Sequence, residues 1–460
     1  MTAPTTMRAT LATLLAFALV APAADAQAPA RPPAPARIDT TVAPASLGHA
    51  FALAGAAYAA GDHREVRRVL RAAAAFAPSD GTVLLHLARA EALTGRGDSA
   101  LAVLERLAPQ GAVRDFAADS AFAALKDDPR FQAVVRRLAA NAAPLVRSDT
   151  AVVLPDPDFI PEGIARDPAD SAIYVGSLHR GEIVRAAGGG RFTIFARMEE
   201  GGRRQVLGLR VDSRARRLWA ATILLDSAAP AFRRGPGGWS ALHAYDLATG
   251  RLVARHAPSD SAAGPHLFND IAVTPAGDVY VTDSEGGALW RLPAGGGALE
   301  RVNGGSPRFT YPNGVAVGAG GRRLYVAHVE GLSTVELAGR EAGRARPLPA
   351  PAGVPTGGID GLYACGDALL AVQGMVGYDQ VSWIELAPDG RRVRALRALE
   401  RAHPAHDAAT TGAPSADAFY YIANSQLPRL GQDGTLTPAP RPRPSVVLRL
   451  PLPRRCEGGR

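Results

Sequence analysis

The sequence predicts an all-β six-bladed β-propeller preceded by a small all-α helical (tetratricopeptide-like) domain. Three observations predict it. A two-strand unit around a tight turn recurs six times between Pro161 and Asn424, at spacings of roughly 45–60 residues, the range of propeller blades. The stretch from Ser46 to about Ala140 has no alternating strand pattern and carries apolar residues at helical spacing. Two β-rich runs flanking the repeat, Thr150–Leu154 and Ser445–Leu450, have no partner in their own units. Placed side by side in the last blade, they close the ring and remove its open sheet edges.

The 460-residue chain opens with a signal pattern. Arg8 is the positive end, Leu11–Val20 an apolar run too short to cross a bilayer, and Ala24-Asp25-Ala26 a cleavage site. Met1–Ala26 is therefore expected to direct export, and the protein to be secreted or periplasmic. No later run predicts a membrane span. Gln27–Pro44 is Ala/Pro-rich and reads as a linker.

The formal net charge is +8, and arginine carries it, since Lys126 is the only lysine. The arginines are scattered and form no aromatic-plus-basic stripe, which argues against nucleic acid as a partner. Cys365 and Cys456 are too few and too distant for a zinc cluster. Export permits a disulfide between them; the alternative is a buried thiol in blade five and a loose thiol in the tail.

The helical domain is expected over 45–143. Phe51, Tyr58, Val66, Leu70, Phe76, Leu84, Leu87, Leu93, Leu101, Leu104 and Leu107 mark its apolar face. Gly61 and Gly95 lie 34 residues apart, one tetratricopeptide period. The stretch resembles tetratricopeptide repeats, and a further helix is expected from Phe122 through Leu138. The block reads either as a packing appendage or as a groove for a protein partner.

The propeller is expected over 149–454, with a tail at 455–460. Its clearest unit is Phe268–Val273, the turn Pro275-Ala276-Gly277-Asp278, then Val279–Val281. Polar residues cap both outer ends, Asn269-Asp270 and Thr282-Asp283-Ser284, and antiparallel pairing places these ends on one rim. Other copies begin at Pro161-Glu162-Gly163, Pro312-Asn313-Gly314 and Ile359-Asp360-Gly361; weaker ones begin at Val206-Leu207-Gly208 and Thr410-Thr411-Gly412. Leu224–Ser240, rich in Gly, Pro and Arg, is a candidate flap over one rim.

Innermost strands start near the propeller axis, so their first residues converge in the central tunnel. In four blades these are Glu162, Asn269, Asn313 and Asp360. Two carboxylates and two amides suit a hard divalent cation, most of all Ca²⁺. Asn-Gly and Asp-Gly pairs also make turns, but four at matching places in a repeat point to a shared ligand. Asp270 is expected to support the site or to bind a second ion. The loops on the same rim carry His179, Asp283-Ser284, His328, Gln373 and Asn424-Ser425-Gln426. His179 and His328 have pKa values suited to a general base; His266 and His406 are weaker candidates. Ser240, Ser284 and Ser425 have no nucleophile-elbow context, and Gly188–Gly190 and Gly295–Gly297 read as blade turns, not phosphate loops.

These motifs resemble the metal-ligand motifs of the senescence-marker-protein/gluconolactonase (regucalcin/paraoxonase-type) superfamily. The resemblance covers roughly Pro155–Leu452. It implies that Glu162, Asn269, Asn313 and Asp360 hold the metal, that Asp360 also shuttles a proton, and that the activity is hydrolysis of a small-molecule lactone or related ester. Two other readings stand beside it: a non-catalytic, metal-stabilised propeller with the helical domain as adaptor, and a strictosidine-synthase-like enzyme.

Overall fold

The computed structural model describes residues 47–187, 191–198, 204–224, 240–258, 266–302, 309–431, 434–439 and 443–456. The expected signal Met1–Ala26, the linker Gln27–Pro44, the turn Gly188–Gly190 and all but the two ends of the expected flap Leu224–Ser240 lie outside the described residues. The chain divides into two compact units between Asn141 and Ala142.

Among the described residues the first unit holds five α-helices: α1 (Leu47–Ala59), α2 (His63–Phe76), α3 (Gly81–Leu93), α4 (Gly97–Leu107) and α5 (Pro129–Ala140). Asp62, Asp80 and Asp128 cap three of them, accepting from the N–H groups of Glu65 (3.0 Å), Val83 (2.8 Å) and Arg130 (2.8 Å). Gly61 and Gly95 both adopt left-handed backbone, φ 71° and 74°. Their spacing therefore marks two equivalent helix ends, where only glycine is free of strain. Leu70, Val83, Leu84, Leu104 and Leu107 are buried between the helices. Tyr58 and Leu93, expected on the apolar face, are 41% and 38% exposed, since each stands in the last turn of its helix.

The helix expected from Phe122 starts later. Ser120–Leu125 is a 3₁₀ segment, and α5 begins at Pro129 behind the Asp128 cap. Proline lacks an N–H and is tolerated in a helix's first turn, not its interior. No described helix is long and apolar enough to cross a membrane.

The second unit is a ring of six four-stranded sheets. Their innermost strands are Pro161–Arg166, Arg204–Asp212, Phe268–Val273, Val315–Val317, Ile359–Cys365 and Gly412–Pro414. Blade six is built from both ends of the unit. Asp149–Val153 is its outermost strand and pairs antiparallel with Val446–Pro451, Asp149 facing Arg449 and Val153 facing Val446. Each seam between neighbouring blades has its own apolar cluster. Tyr174 and Leu209 meet between blades one and two, Phe268 and Trp219 between two and three, and Tyr280 and Val315 between three and four. Tyr325 and Leu362, Trp383 and Phe419, and Val447 and Ile173 fill the remaining three. Burying these faces against one another closes the ring. Cys365, at the end of blade five's inner strand, is disulfide-bonded to Cys456 beyond the last strand. This decides between the two states open to the thiols.

Four inner strands carry a bulge at the same place. Pairing slips between Pro161 and Ile164, Val206 and Leu209, Phe268 and Ile271, and Ile359 and Leu362. The two residues inside each slip leave the ladder, and a bulge of this kind re-aims a side chain. This local irregularity builds the site.

Candidate metal centre

The released residues are Glu162-Gly163, Leu207-Gly208, Asn269-Asp270 and Asp360-Gly361. In blade four Asn313-Gly314 takes the same place just before the strand, held by Asn313 N–H to Ala327 O and Ala327 N–H to Gly314 O, both 2.8 Å. The glycines matter because the backbones of successive blades touch here. A Cβ on Gly163 would collide with the Leu207 carbonyl oxygen, and one on Gly208 with that of Asn269. A Cβ on Gly314 would stand 2.6 Å from the Asp360 carbonyl oxygen. Where blade three has Asp270 instead of glycine, its carboxylate accepts from Ile271 N–H (2.8 Å) and Val315 N–H (3.1 Å). Thr282 Oγ donates to Asn313 O (2.7 Å), and Thr411 Oγ donates to Glu162 O. The ring therefore runs Glu162, Leu207, Asn269, Asn313, Asp360, Thr411 and closes on itself.

The four predicted ligands are brought into this one ring, and all are buried, none more than 5% exposed. Asn313 Nδ2 donates to Asp360 Oδ1 at 2.8 Å. Asn269 Nδ2 donates to Ser284 Oγ at 3.1 Å, and that hydroxyl donates to Pro312 O at 2.6 Å. Both amides are thus oriented by their nitrogens. Three buried oxygens, Glu162 Oε2, Asn313 Oδ1 and Asp360 Oδ2, meet no hydrogen-bond donor among the described residues.

Burial, then the charges of Asp360 and Asp270, hold the Glu162 carboxyl well above the usual carboxylate range. Asp360 is raised as well, chiefly by burial and against the pull of the Asn313 hydrogen bond. Asp270 is pushed up to about 6 by burial, with Arg210 opposing. Arg210 donates to Ile271 O (2.9 Å) and lies 5.1 Å over the Tyr363 ring. Because backbone N–H groups meet both Asp270 oxygens, this residue ties blade three to blade four rather than adding a free ligand. Among the described residues no three His, Cys, Asp or Glu side chains gather as a metal cluster. The donors here are two carboxylates and two amides, and orphaned acceptor oxygens of that kind fit a hard cation.

The candidate histidines have partners of their own. His179 Nδ1 faces the Asp158 carbonyl oxygen at 2.9 Å. His328 is engaged at both ring nitrogens, Nδ1 to Glu330 Oε2 (2.7 Å) and Nε2 to Ser333 Oγ (2.8 Å). His266 Nδ1 meets Asp283 Oδ2 at 2.5 Å, with its ring edge-on to Trp290 of blade three's third strand. His406 sits between Asp379 O and the Tyr421 hydroxyl. Gln373, expected on the rim, is wholly buried, its amide donating to Pro355 O and Gly357 O, both 3.0 Å. Asn424 pairs with Pro444 O and Val446 N–H, and Gln426 donates to Arg443 O.

Sequence reasoning gave no role to Leu207 or Thr411. The signal was present: a residue followed by glycine opens the inner strand in blades one, two, four, five and six. Reading that pair as a ring position, whatever its first residue, would have found both.

A tetratricopeptide-repeat profile matches residues 57–126. The first unit carries a tetratricopeptide repeat. No curated protein matches the sequence. Among solved structures the chain is similar to a gluconolactonase from Xanthomonas campestris, at 16% identity and TM-score 0.43, over 68% of this chain and 100% of that one. It is similar to the calcium-binding protein regucalcin from Agrobacterium tumefaciens, at 16% and 0.44, over 67% and 95%. A PQQ-bound aldose sugar dehydrogenase from Streptomyces coelicolor stands equally near, at 16% and 0.43, over 66% and 99%. Fold alone selects no chemistry, so the functional reading rests on the ring residues.

Proposed function

We propose that the protein is an exported, Ca²⁺-dependent hydrolase of a lactone or related ester, with Glu162, Asn269, Asn313 and Asp360 as the metal ligands. The observation that carries this reading is the trio of buried, unmet oxygens on Glu162, Asn313 and Asp360. Acceptors left unmet in a buried site are costly, and a divalent cation would satisfy them together. A bound Ca²⁺ supplies polarisation of the substrate carbonyl and stabilises the charge that develops on its oxygen.

The chain's own groups do the rest. Asn313 Nδ2 fixes Asp360 Oδ1, so Oδ2 keeps one direction as a ligand, and the Asp360 carboxylate would take the proton of the attacking water while it stays bound. Burial raises this carboxyl in the metal-free ring, and a bound cation would pull it back toward the ionised form that accepts a proton. His179 and His328 rank behind Asp360 as bases, since Asp158, Glu330 and Ser333 already engage their rings. The Cys365–Cys456 disulfide supports an oxidising, exported location. The tetratricopeptide repeat supports a protein partner for the helical unit.

The test is calorimetric titration with CaCl₂ alongside hydrolysis of γ-, δ- and aryl lactones, with Ca²⁺, with chelator, and in Asp360→Ala, His179→Gln and His328→Gln. We expect Ca²⁺-dependent turnover lost in Asp360→Ala and retained within about tenfold in both histidine variants, the span of a rim hydrogen bond. A hundredfold fall in kcat in either variant moves the base role to that histidine. Ca²⁺ uptake with no lactone turned over leaves the non-catalytic binding propeller as the reading.

A further inference from the structure

A second polar site lies at the seam of blades one and two. A cavity of about 120 Å³ opens there, lined from the last strand of blade one, Arg191–Arg197, and the third strand of blade two, Ser240–Asp246. That is room for about four water-sized groups. His243 and Tyr245, two residues apart, share a face of their strand, and their rings stack at 6.3 Å. The Tyr245 hydroxyl donates to Met198 Sδ at 2.8 Å. Ala196, Met198, Tyr245 and Leu252 give the cavity its apolar side.

The polar side is made of buried groups. Arg204 is 3% exposed and His243 2%, and both line the cavity. Arg197, at its edge, pairs with Glu182 at 3.6 Å. Among the described residues the lining holds no carboxylate. Burial, then the charges of Arg204 and Arg255, push the His243 imidazole down to about 3, against the pull of the Ala241 carbonyl. The ring is therefore neutral at neutral pH.

The hydrogen bonds of Thr222 decide which nitrogen carries the proton. Its hydroxyl lies 3.1 Å from His243 Nδ1. It donates to Ala241 O and accepts from Arg204 Nη1, both at 3.4 Å. A lone pair, not the hydroxyl proton, thus faces the imidazole. Nδ1 holds the proton, and Nε2 presents a lone pair. Among the described residues no hydrogen bond reaches Nε2.

We infer that this cavity binds a small oxyanion that still bears an O–H, a 2-hydroxycarboxylate or hydrogen phosphate. Its charge faces the Arg204 guanidinium, whose planar fork suits carboxylate and phosphate oxygens. Its hydroxyl donates to His243 Nε2. An anion without a proton, such as sulfate, would set one acceptor against another there, which is unfavourable. A cation would meet the repulsion of Arg204 and Arg255. The site shares no residue with the ring of Glu162, Asn269, Asn313 and Asp360, so it stands apart from the hydrolase reading.

The test is calorimetric titration with glycolate, acetate, phosphate and sulfate at neutral pH and constant ionic strength. Chelator is present, so that no anion is held by a ring cation. We expect glycolate to bind about tenfold tighter than acetate, and phosphate about tenfold tighter than sulfate, the cost of one unmet buried acceptor. The stronger of glycolate and phosphate assigns the ligand as carboxylate or phosphate. Arg204→Gln should weaken both. His243→Asn keeps an N–H toward Thr222 and has nothing at the Nε2 position, so it should erase both preferences. Leu252→Phe fills the cavity from its partly exposed wall and should abolish binding; circular dichroism checks the fold of each variant. Equal affinity within each pair overturns the inference, and so does the absence of binding at millimolar anion. Preferences that survive in folded Leu252→Phe or His243→Asn place the anion elsewhere and overturn it too.

Discussion

Asn313 Nδ2 lies 2.8 Å from Asp360 Oδ1, and the outer oxygen of each side chain, Asn313 Oδ1 and Asp360 Oδ2, is buried without a donor. One hydrogen bond between neighbouring blades thus sets the direction of two acceptors. Asp360→Ala removes one acceptor and frees the other. We expect at least a hundredfold weaker Ca²⁺ binding by calorimetry and loss of turnover, since the variant lacks a first ligand where even a supporting partner is worth 10–100-fold in affinity. Asp360→Asn keeps an oxygen but not the proton acceptor, so Ca²⁺ should still bind while kcat falls. Unchanged Ca²⁺ affinity in Asp360→Ala would remove this residue from the metal site.

The buried carboxyls set a pH dependence whose sign is fixed. Asp360 is raised to about 7 and Asp270 to about 6, each chiefly by burial, against about 4 in the unfolded chain. The folded protein therefore holds protons that the unfolded chain releases. The stability this contributes is fully present below about pH 4 and is lost as pH rises through about 7. In chelator, the Tm read by circular dichroism should fall between pH 5 and pH 8, and Ca²⁺ should restore it at pH 8. A Tm at pH 8 indifferent to Ca²⁺ would count against a cation in the ring.

Gly163→Ala tests the close packing of the ring. The new Cβ meets the Leu207 carbonyl oxygen, a backbone atom that moves only if the blade moves. We expect a loss of about 3 kcal/mol in stability by denaturant unfolding, the upper range for overpacking. Gly295→Ala is the control, because a Cβ there has nothing within 4 Å. Equal stability in the two variants would show that the ring backbones are not in contact.

The disulfide closes a span of 91 residues between blade five and the end of the last blade. Constraining the unfolded chain over such a loop is worth about 2–4 kcal/mol. Cys456→Ser, or reductant on the wild-type protein, should lower stability by that amount and leave Ca²⁺ binding unchanged. A Tm insensitive to reductant would show that the bridge does not hold this seam.

Much of the fold was legible because its signals are local. The period-two runs and Gly- and Pro-marked turns repeat at blade spacing, and the unpartnered Thr150–Leu154 and Ser445–Leu450 runs pointed to closure in blade six. Glu162, Asn269, Asn313 and Asp360 were legible because the repeat put them at matching places. What lay beyond the sequence depends on chain segments far apart. The partners of Gln373 lie in the loop before its blade, and the Cys365–Cys456 pairing is set by how the tail folds back.

The sequence by itself determined the number of blades, the seam and the four polar ring positions Glu162, Asn269, Asn313 and Asp360, since each follows from residue type and spacing within one unit. Only the tertiary structure decided that Leu207 and Thr411 complete the ring and that Asp270 is tied up by backbone N–H groups. It also decided that Leu427, Leu430 and Leu436 pack on a buried apolar cluster with Leu207 and Ile160. The physical reason is that a bulge exists only once two strands have paired, and a close backbone approach only once two blades are packed. A glycine such as Gly163 reads as a turn in its own strand, and its role is defined by the Leu207 carbonyl of the next blade.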